Sequence, residues 1–352
     1  SNFRAGVNAG NSIESGGNYN VAVGDEAGTA ITTSDYNTLV GYAAGAAVTT
    51  GFNNTAVGGL ALDVQTTGDY NVAIGTLALS GDTTGNKATG VGYGALAAQN
   101  FTGNQDSFNT ALGYTAGAAI TTGIENTLIG GLAGDALTVG GSNVAIGISS
   151  LSLDTKGFNS VAIGQRTLEN QNFTTNTDSF NTAVGSQAGR AVTTGTHNTI
   201  VGALAGDALT SGNSNAVVGY LALSSDTLGD RNVAIGVSSL GNQNFTTSTD
   251  AYNVAIGYDA GTAVTTGIQN VLIGGLAGDS LTDADFNVAV GTAALDADTL
   301  GSRSVAIGHI ALSAQNFTTA TNTYNTAVGY GAGTAVTTGI NNTLVGGLSG
   351  DA

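Results

Sequence analysis

Aspartates recur at fixed intervals along the chain and are the side chains best suited to metal chemistry. One set is spaced by 72 residues and comprises Asp63, Asp135, Asp207, Asp279 and Asp351. Calcium prefers carboxylate oxygens, and carboxylates at the same place in successive structural repeats would form a column that could hold it. Aspartate is also an ordinary turn residue, however, and nothing matches the Gly-Gly-x-Gly-x-Asp calcium repeat. We therefore expect no cofactor, and keep calcium at Asp135, Asp207 and Asp279 as the alternative.

The residues that usually carry catalysis are too few for an active site. The chain has no cysteine, and its two histidines, His197 and His309, lie far apart in the sequence. A histidine triad or a histidine-rich metal site therefore cannot form within one chain. The glycine-rich segments contain no phosphate-binding loop and no dinucleotide fingerprint. The sequence thus predicts that the protein is not an enzyme.

The composition indicates a folded chain with an acidic surface. Of the 352 residues, 41% are hydrophobic, which is too many for a disordered protein, and the net charge is −17. Because only 7 residues are Lys or Arg, no basic patch is available for nucleic acid. No apolar stretch approaches the roughly 20 residues that a membrane span needs. We expect neither nucleic acid nor a membrane to contact this segment.

A repeated pentapeptide, Asn-(Thr/Val)-Ala-(Val/Ile)-Gly, defines the architecture. Its 19 copies follow one another at steps of 17 residues, with a step of 21 at regular intervals, so that blocks of 72 residues repeat. Repeats this short indicate the coils of a parallel β-solenoid, or β-roll, rather than separate globular domains. We expect one elongated all-β domain over residues 1–352, with about 19 coils, a partial coil at 1–19, and an origin as a fragment of a longer fibre. The closing glycines of the pentapeptide are Gly24, Gly41, Gly58, Gly75, Gly92, Gly113, Gly130, Gly147, Gly164, Gly185, Gly202, Gly219, Gly236, Gly257, Gly274, Gly291, Gly308, Gly329 and Gly346.

Both faces of the short strand within the pentapeptide are apolar. The second and fourth residues are mostly β-branched, and we expect them to face the inside of the coil. The third residue would then point outward although it is also apolar, which indicates a strand buried on both faces. Because a coil of 17 residues is too narrow to cover this outer stripe, we expect it to pack against other copies of the chain. The predicted interface of a homotrimer comprises Ala145, Ala183, Ile200, Leu272 and Leu344.

The first residue of the pentapeptide predicts a hydrogen-bonded ladder. It is Asn in 16 of the 19 copies. Amides that lie one coil apart can hydrogen-bond along the stack, and the closing glycine would supply the bend after each strand. The predicted ladder includes Asn109, Asn126, Asn143, Asn181 and Asn198.

Two copies of the repeat, Asn159-Ser160-Val161-Ala162-Ile163-Gly164 and Arg303-Ser304-Val305-Ala306-Ile307-Gly308, resemble a known repeat. It is the Ser-Val-Ala-Ile-Gly repeat of YadA-like heads in trimeric autotransporter adhesins, and the resemblance covers nearly the whole chain. It implies a trimer of left-handed parallel β-rolls on a bacterial surface that binds host matrix or other cells, although coils of 17 or 21 residues are longer than those of that family. The copy Asn325-Thr326-Ala327-Val328-Gly329-Tyr330 is also similar to repeats of phage tail-fibre-like and bacterial fibre proteins, which are likewise trimeric and extracellular.

Aromatic residues occupy fixed places in the repeat. Every Tyr directly follows a closing Gly or directly precedes the first residue of a pentapeptide, and one Phe marks each long step. Such placement usually means packing at a coil edge or between chains, and we expect the Phe to fill a gap between chains. Exposed aromatic rings beside Asn and Thr also suit the stacking of sugars. The predicted ligand surface comprises Tyr114, Tyr258, Tyr330, Phe173 and Phe245.

These patterns predict a trimeric extracellular fibre or adhesin segment that projects from a cell or virion surface. Its attachment to a host-surface glycan or a matrix protein would be multivalent. An ice-binding β-solenoid is one alternative, because Thr49, Thr66 and Thr83 belong to a regular column of threonines. An inert structural spacer is the other, and the sequence does not choose between a spacer and a binder.

Overall fold

The protein is an all-β parallel solenoid whose main strands are three residues long. The structure is a computed structural model and describes residues 1–351. We count each coil from the first residue of the pentapeptide, so that positions 2 to 4 form the strand and position 5 is the closing Gly. β-branched residues at positions 2 and 4 favour the extended backbone of this strand. Among the described residues, no helix has the length and apolar character that a membrane span requires.

The chain forms two compact units, of which the first is Ser1–Phe180. Its three-residue strands pair in parallel and in register from coil to coil, so that Ala145 lies beside Ala162. Two shorter strands, Gly157–Phe158 (β10) and Thr177–Asp178 (β12), pair with each other at a 21-residue coil. The strands are β1 Phe3–Ala5, β2 Val21–Val23, β3 Thr38–Val40, β4 Thr55–Val57, β5 Val72–Ile74, β6 Thr89–Val91, β7 Thr110–Leu112, β8 Thr127–Ile129, β9 Val144–Ile146, β10 Gly157–Phe158, β11 Val161–Ile163 and β12 Thr177–Asp178.

The second unit begins at Asn181 and follows the same plan. Its three-residue strands also pair in parallel and in register, so that Ala234 lies beside Ala255. Two-residue strands pair at the longer coils: Gly229–Asp230 (β16) pairs with Thr249–Asp250 (β18), and Gly301–Ser302 (β22) pairs with Thr321–Asn322 (β24). The strands are β13 Thr182–Val184, β14 Thr199–Val201, β15 Ala216–Val218, β16 Gly229–Asp230, β17 Val233–Ile235, β18 Thr249–Asp250, β19 Val254–Ile256, β20 Val271–Ile273, β21 Val288–Val290, β22 Gly301–Ser302, β23 Val305–Ile307, β24 Thr321–Asn322, β25 Thr326–Val328 and β26 Thr343–Val345. The prediction of one elongated domain stays a prediction.

The glycine at position 5 is required by the close approach of neighbouring coils. Gly130 has a φ of +135°, which L side chains rarely adopt. A Cβ atom on Gly130 would lie 2.5 Å from the carbonyl oxygen of Gly147 in the next coil. Because other closing glycines stack on one another in the same way, this column allows the coils to pack at strand spacing.

The strand faces the opposite way from the sequence prediction. Position 3 lies inside the coil, and positions 2 and 4 lie outside, because the narrow interior is already filled by turn residues such as Leu137 and Leu151. The predicted interface residues Ala145, Ala183, Ile200 and Leu272 have no exposed surface within a single chain, and Leu344 in the last coil is half-buried. The prediction that position 3 contacts other chains is therefore wrong, since a side chain enclosed by its own coil cannot touch a neighbouring chain.

The phenylalanines of the long coils are also buried within their own chain. Phe173 and Phe245 are each only 5% exposed. The backbone N–H of Phe173 donates to Oδ1 of Asp154 at 3.2 Å, which ties the long coil to the coil before it. Room for the ring comes from a glycine one coil earlier: a Cβ on Gly85 would lie 2.6 Å from the ring of Phe101. The predictions that Phe173 and Phe245 belong to a ligand surface or fill a gap between chains are therefore wrong.

Candidate functional site

An apolar surface lies on the outer side of the strands, formed by positions 2 and 4, which we call the strand face. Position 4 is Val, Ile or Leu in all 19 coils, and position 2 is Val, Thr or Ala, so the face carries no charge. The exposed fraction is 47% for Leu112 in the first unit and 38% for Ile307 in the second. An apolar stripe therefore follows the sheet in each unit. The position-4 residues are Val23, Val40, Val57, Ile74, Val91, Leu112, Ile129, Ile146 and Ile163 in the first unit, and Val184, Val201, Val218, Ile235, Ile256, Ile273, Val290, Ile307, Val328 and Val345 in the second.

Aromatic side chains border the strand face at position 6, after the closing Gly, and at position 17, before the next pentapeptide. Tyr114, Tyr258 and Tyr330 occupy position 6 and are between 59% and 62% exposed. At position 17, the rings of Tyr19 and Tyr36 stack with their centroids 5.0 Å apart. Rings on successive coils thus form short stacks that remain accessible from solvent.

The backbone at position 17 explains why these rings stay outside. Tyr36 has a φ of 60°, and Phe108, at the equivalent last place of a 21-residue coil, has a φ of 50°; both are in a left-handed conformation that is uncommon outside glycine. The N–H of Tyr36 donates to the carbonyl oxygen of Asn18 at 3.1 Å, so the stacked coil before it stabilises the turn. At this turn Asn37 is fully buried, while the ring of Tyr36 remains exposed.

Buried asparagines at position 1 connect the coils inside the chain. The backbone N–H of Asn126 donates to Oδ1 of Asn109 at 2.9 Å, and that of Asn143 donates to Oδ1 of Asn126 at 3.1 Å. In the second unit, the N–H of Asn198 donates to Oδ1 of Asn181 at 3.0 Å. The side-chain amide of Asn126 also donates to a carbonyl oxygen at the end of its own coil. Each of these amides therefore satisfies buried backbone groups, which gives the column a structural role.

The threonine column is also bound to the backbone. The hydroxyl of Thr49 donates to the carbonyl oxygen of Thr66 at 3.1 Å, and the hydroxyl of Thr66 donates to the carbonyl oxygen of Thr83 at 2.9 Å. These side chains are half-buried. Their hydroxyl protons thus join one coil to the next, an arrangement that favours a structural role for the column.

The aspartates considered for calcium lie apart from one another. Within residues 1–351 there is no group of three or more His, Cys, Asp or Glu side chains that could hold a metal ion. Asp135, Asp207 and Asp279 each keep one buried carboxylate oxygen without a hydrogen bond. Burial raises the pKa of all three, because loss of hydration disfavours the charged carboxylate. Chemically, such a carboxylate takes up a proton more readily than an exposed one.

A second set of aspartates, at position 12, has glutamine partners that were not predicted from the sequence. Nε2 of Gln171 donates to Oδ2 of Asp154 at 2.7 Å, and Nε2 of Gln243 donates to Oδ2 of Asp226 at 2.6 Å. Burial raises the pKa of Asp154 and of Asp226, although hydrogen bonds to the carboxylates oppose the rise. The signal was present in the sequence, since a Gln follows each such Asp by 17 residues in every block: Gln99, Gln171, Gln243 and Gln315 after Asp82, Asp154, Asp226 and Asp298.

What this arrangement can do is associate with other molecules. The strand face offers apolar side chains, its aromatic borders offer rings for stacking, and both features recur from coil to coil within each unit. The polar columns of Asn and Thr hold the coils in register behind them. The sequence of this chain matches no family model and no curated protein, and its structure matches no solved structure.

Proposed function

We propose that this chain is a segment of a homotrimeric extracellular fibre that projects from a cell or virion surface and supports multivalent attachment. The observation that carries the proposal is the strand face, which is apolar at position 4 and uncharged at positions 2 and 4 in all 19 coils. Monomeric soluble proteins rarely expose a continuous apolar patch of more than a few hundred Å². A face that repeats coil after coil therefore favours coverage by another chain.

A second copy of the same chain suits this face best. Every coil presents the same apolar positions at strand spacing, so chains aligned in parallel meet equivalent residues at each coil. The face is also narrow, because only Val, Ile, Leu, Thr or Ala side chains at two positions project between the aromatic borders. Three narrow strand faces, one from each chain, can pack together around a common axis. The number three and the left-handed roll come from the resemblance to trimeric adhesin heads and fibres.

The charge distribution supports the same assembly. Each chain has a net charge of −17, but none of its charged residues occupies the strand face. Acidic residues would therefore lie on the outside of a trimer, where they favour solubility and oppose lateral association between fibres. In the same proposal, the 72-residue blocks repeat the outer surface along the fibre, and weak contacts to a glycan or a matrix protein gain strength by multivalency.

The first experiment is to measure the mass of the purified chain by light scattering. One chain has a mass of 34.3 kDa, and three times 34.3 kDa is about 103 kDa. We expect the larger value at micromolar concentration. A stable monomer with its strand face in water would overturn the trimer and would favour the spacer or ice-binding alternatives, which binding assays and thermal hysteresis then separate.

A further inference from the structure

A cleft of about 290 Å³ opens on the surface of the first unit between two neighbouring coils. Tyr36, at position 17 of one coil, and Phe52, at position 16 of the next, contribute its aromatic walls. We propose that this cleft binds a neutral pyranose sugar. The proposal deepens the attachment function proposed above and rests on it for its biological role, but the cleft itself is formed by one chain.

The two rings are accessible and held in place. Tyr36 is 55% exposed and Phe52 is 37% exposed. The ring of Tyr36 stacks on Tyr19, and the edge of Phe52 meets Tyr70 with a centroid distance of 5.2 Å. These contacts fix both rings before a ligand arrives, which reduces the entropy lost on binding. An aromatic surface of this kind suits the apolar C–H face of a pyranose ring.

Polar groups without protein partners line the same cleft. Asp35 accepts the N–H of Asn18 on Oδ1 at 2.6 Å, and within residues 1–351 no group donates to its Oδ2. The side-chain amide of Asn53 and the hydroxyls of Thr33 and Thr50 are likewise free of hydrogen bonds to the described part of the chain. A carboxylate oxygen accepts hydrogen bonds from sugar hydroxyls, and amides and hydroxyls both donate and accept. A few convergent polar groups beside apolar walls are typical of small-molecule sites.

Charge selects a neutral sugar over an acidic one. Asp35 is the charged residue of the cleft, and no Lys or Arg lines it. The net charge of the chain is −17, so the surrounding field also repels anions. Sialic and uronic acids should therefore bind less well than a neutral hexose or N-acetylhexosamine.

The combination of residues occurs once in the sequence. An Asp followed directly by an aromatic residue occurs at Asp35-Tyr36, Asp69-Tyr70 and Asp285-Phe286. One coil after the first pair stands a second aromatic residue, Phe52. At the same place after the other two pairs stand Asn86 and Ser302, which provide no second ring. Phe286 therefore serves as a matched control with an adjacent Asp but no facing aromatic wall.

Saturation-transfer NMR on the purified chain tests the proposal. The probes are the methyl glycosides of glucose, galactose and mannose, N-acetylglucosamine, and N-acetylneuraminic acid as the anionic comparison. We expect transfer to the ring protons of at least one neutral sugar. Phe52→Ala and Asp35→Asn should each reduce it at least about 10-fold, while Phe286→Ala leaves it unchanged. Phe52→Trp keeps an aromatic wall and should retain the signal, which separates loss of stacking from loss of fold.

Each outcome decides the proposal. Absence of transfer to all neutral probes, equal transfer in Phe52→Ala and wild type, or stronger transfer to the anionic sugar would overturn it. Circular dichroism checks that each variant is folded, and light scattering on the same samples gives the mass. A monomer that still binds the sugar would remove the trimer and keep the cleft, whereas a trimer without sugar binding would remove the cleft and keep the trimer.

Discussion

Gln171 donates a hydrogen bond from its side-chain amide to the buried carboxylate of Asp154, which lies 17 residues earlier, at 2.7 Å. The other oxygen of Asp154 accepts the N–H groups of Gly157 and Phe173 at 3.0 and 3.2 Å. One carboxylate thus joins two consecutive coils at the point where the longer coil departs from the regular path. No cation takes part in these contacts, and hydrogen bonds hold the carboxylate of Asp154 in place.

We expect Asp154→Ala to lower the free energy of unfolding by about 3 kcal/mol, because several buried donors lose their acceptor together. Urea unfolding followed by circular dichroism measures the change. Asp178→Ala is the matched control, since Asp178 is exposed and accepts one hydrogen bond from Asn159 at the surface. Its effect should stay within about 0.5 kcal/mol. Equal losses in the two variants would contradict the structural role of the buried carboxylate.

Acid should stabilise this protein rather than denature it between neutral pH and about pH 4. Burial raises the pKa values of eight aspartates, whereas the hydrogen bond from Lys87 lowers the pKa of Asp106. When the folded pKa exceeds the unfolded one, the folded state binds protons more tightly, so the free energy of unfolding rises as pH falls toward the unfolded pKa near 3.8. Melting temperatures measured from pH 7 to pH 4 should therefore increase. The eight aspartates are Asp63, Asp69, Asp135, Asp154, Asp207, Asp226, Asp279 and Asp296.

A single substitution isolates this effect. Asp135→Asn removes the charge at a carboxylate that keeps one oxygen without a hydrogen bond. We expect the variant to melt higher than wild type at pH 7 and to gain less on acidification. A melting temperature that falls steadily from pH 7 to pH 4 in wild type would show that exposed ion pairs outweigh the buried aspartates.

The glycine column can be tested at two adjacent residues. Gly130→Ala places a Cβ against the backbone of Gly147 and forces alanine into a φ of +135°, so we expect a loss of at least about 2 kcal/mol in the free energy of unfolding. Gly131 has no atom within 4 Å of an added Cβ and no positive φ. Gly131→Ala should therefore be neutral or stabilise by up to about 1 kcal/mol. Urea unfolding of both variants measures the two changes in the free energy of unfolding. Similar changes would mean that the close contact between stacked glycines does not determine stability.

The repeat predicted the solenoid and its strands, but alternation alone could not say which face lies inside. Val144, Ala145 and Ile146 alternate in the same way whichever side is buried, and the prediction that positions 2 and 4 face the inside of the coil was wrong. What fills the narrow interior comes from the turns. Leu151 is fully buried with a φ of 52°, a left-handed conformation that residue preferences do not predict for leucine.

For the aromatic residues, too, the sequence pattern did not predict which side chains are buried. Fixed spacing indicated a defined environment for both Tyr114 and Phe173, yet Tyr114 is exposed and Phe173 is buried. Burial of the phenylalanine depends on contacts between coils, such as the N–H of Phe173 that donates to Oδ1 of Asp154 at 3.2 Å, and these contacts join residues far apart in sequence. The asparagine ladder needed no such detail, because an amide at the same place in every coil already lies beside the backbone N–H of the next asparagine, as Asn109 does beside Asn126.

A charged side chain placed on the strand face tests whether this face is an interface between chains. Leu112 is 47% exposed in the single chain, so Leu112→Glu should not disturb the fold of one chain. In the proposed trimer, three such carboxylates would come together in an apolar interface, where unpaired charges are strongly disfavoured. We expect the dissociation constant of the trimer to rise at least about 100-fold, with the mass by light scattering shifting from about three times 34.3 kDa toward 34.3 kDa.

Thr122→Glu is the matched control for this experiment. Thr122 belongs to the same coil and is exposed, but it lies outside the strand and thus outside the strand face. It adds the same charge, so any general effect of charge on association appears in both variants. If Leu112→Glu dissociates the assembly and Thr122→Glu does not, the strand face is the interface. If both variants keep the wild-type mass, the chains associate through another surface, because a buried ring of carboxylates at Leu112 could not be tolerated at neutral pH.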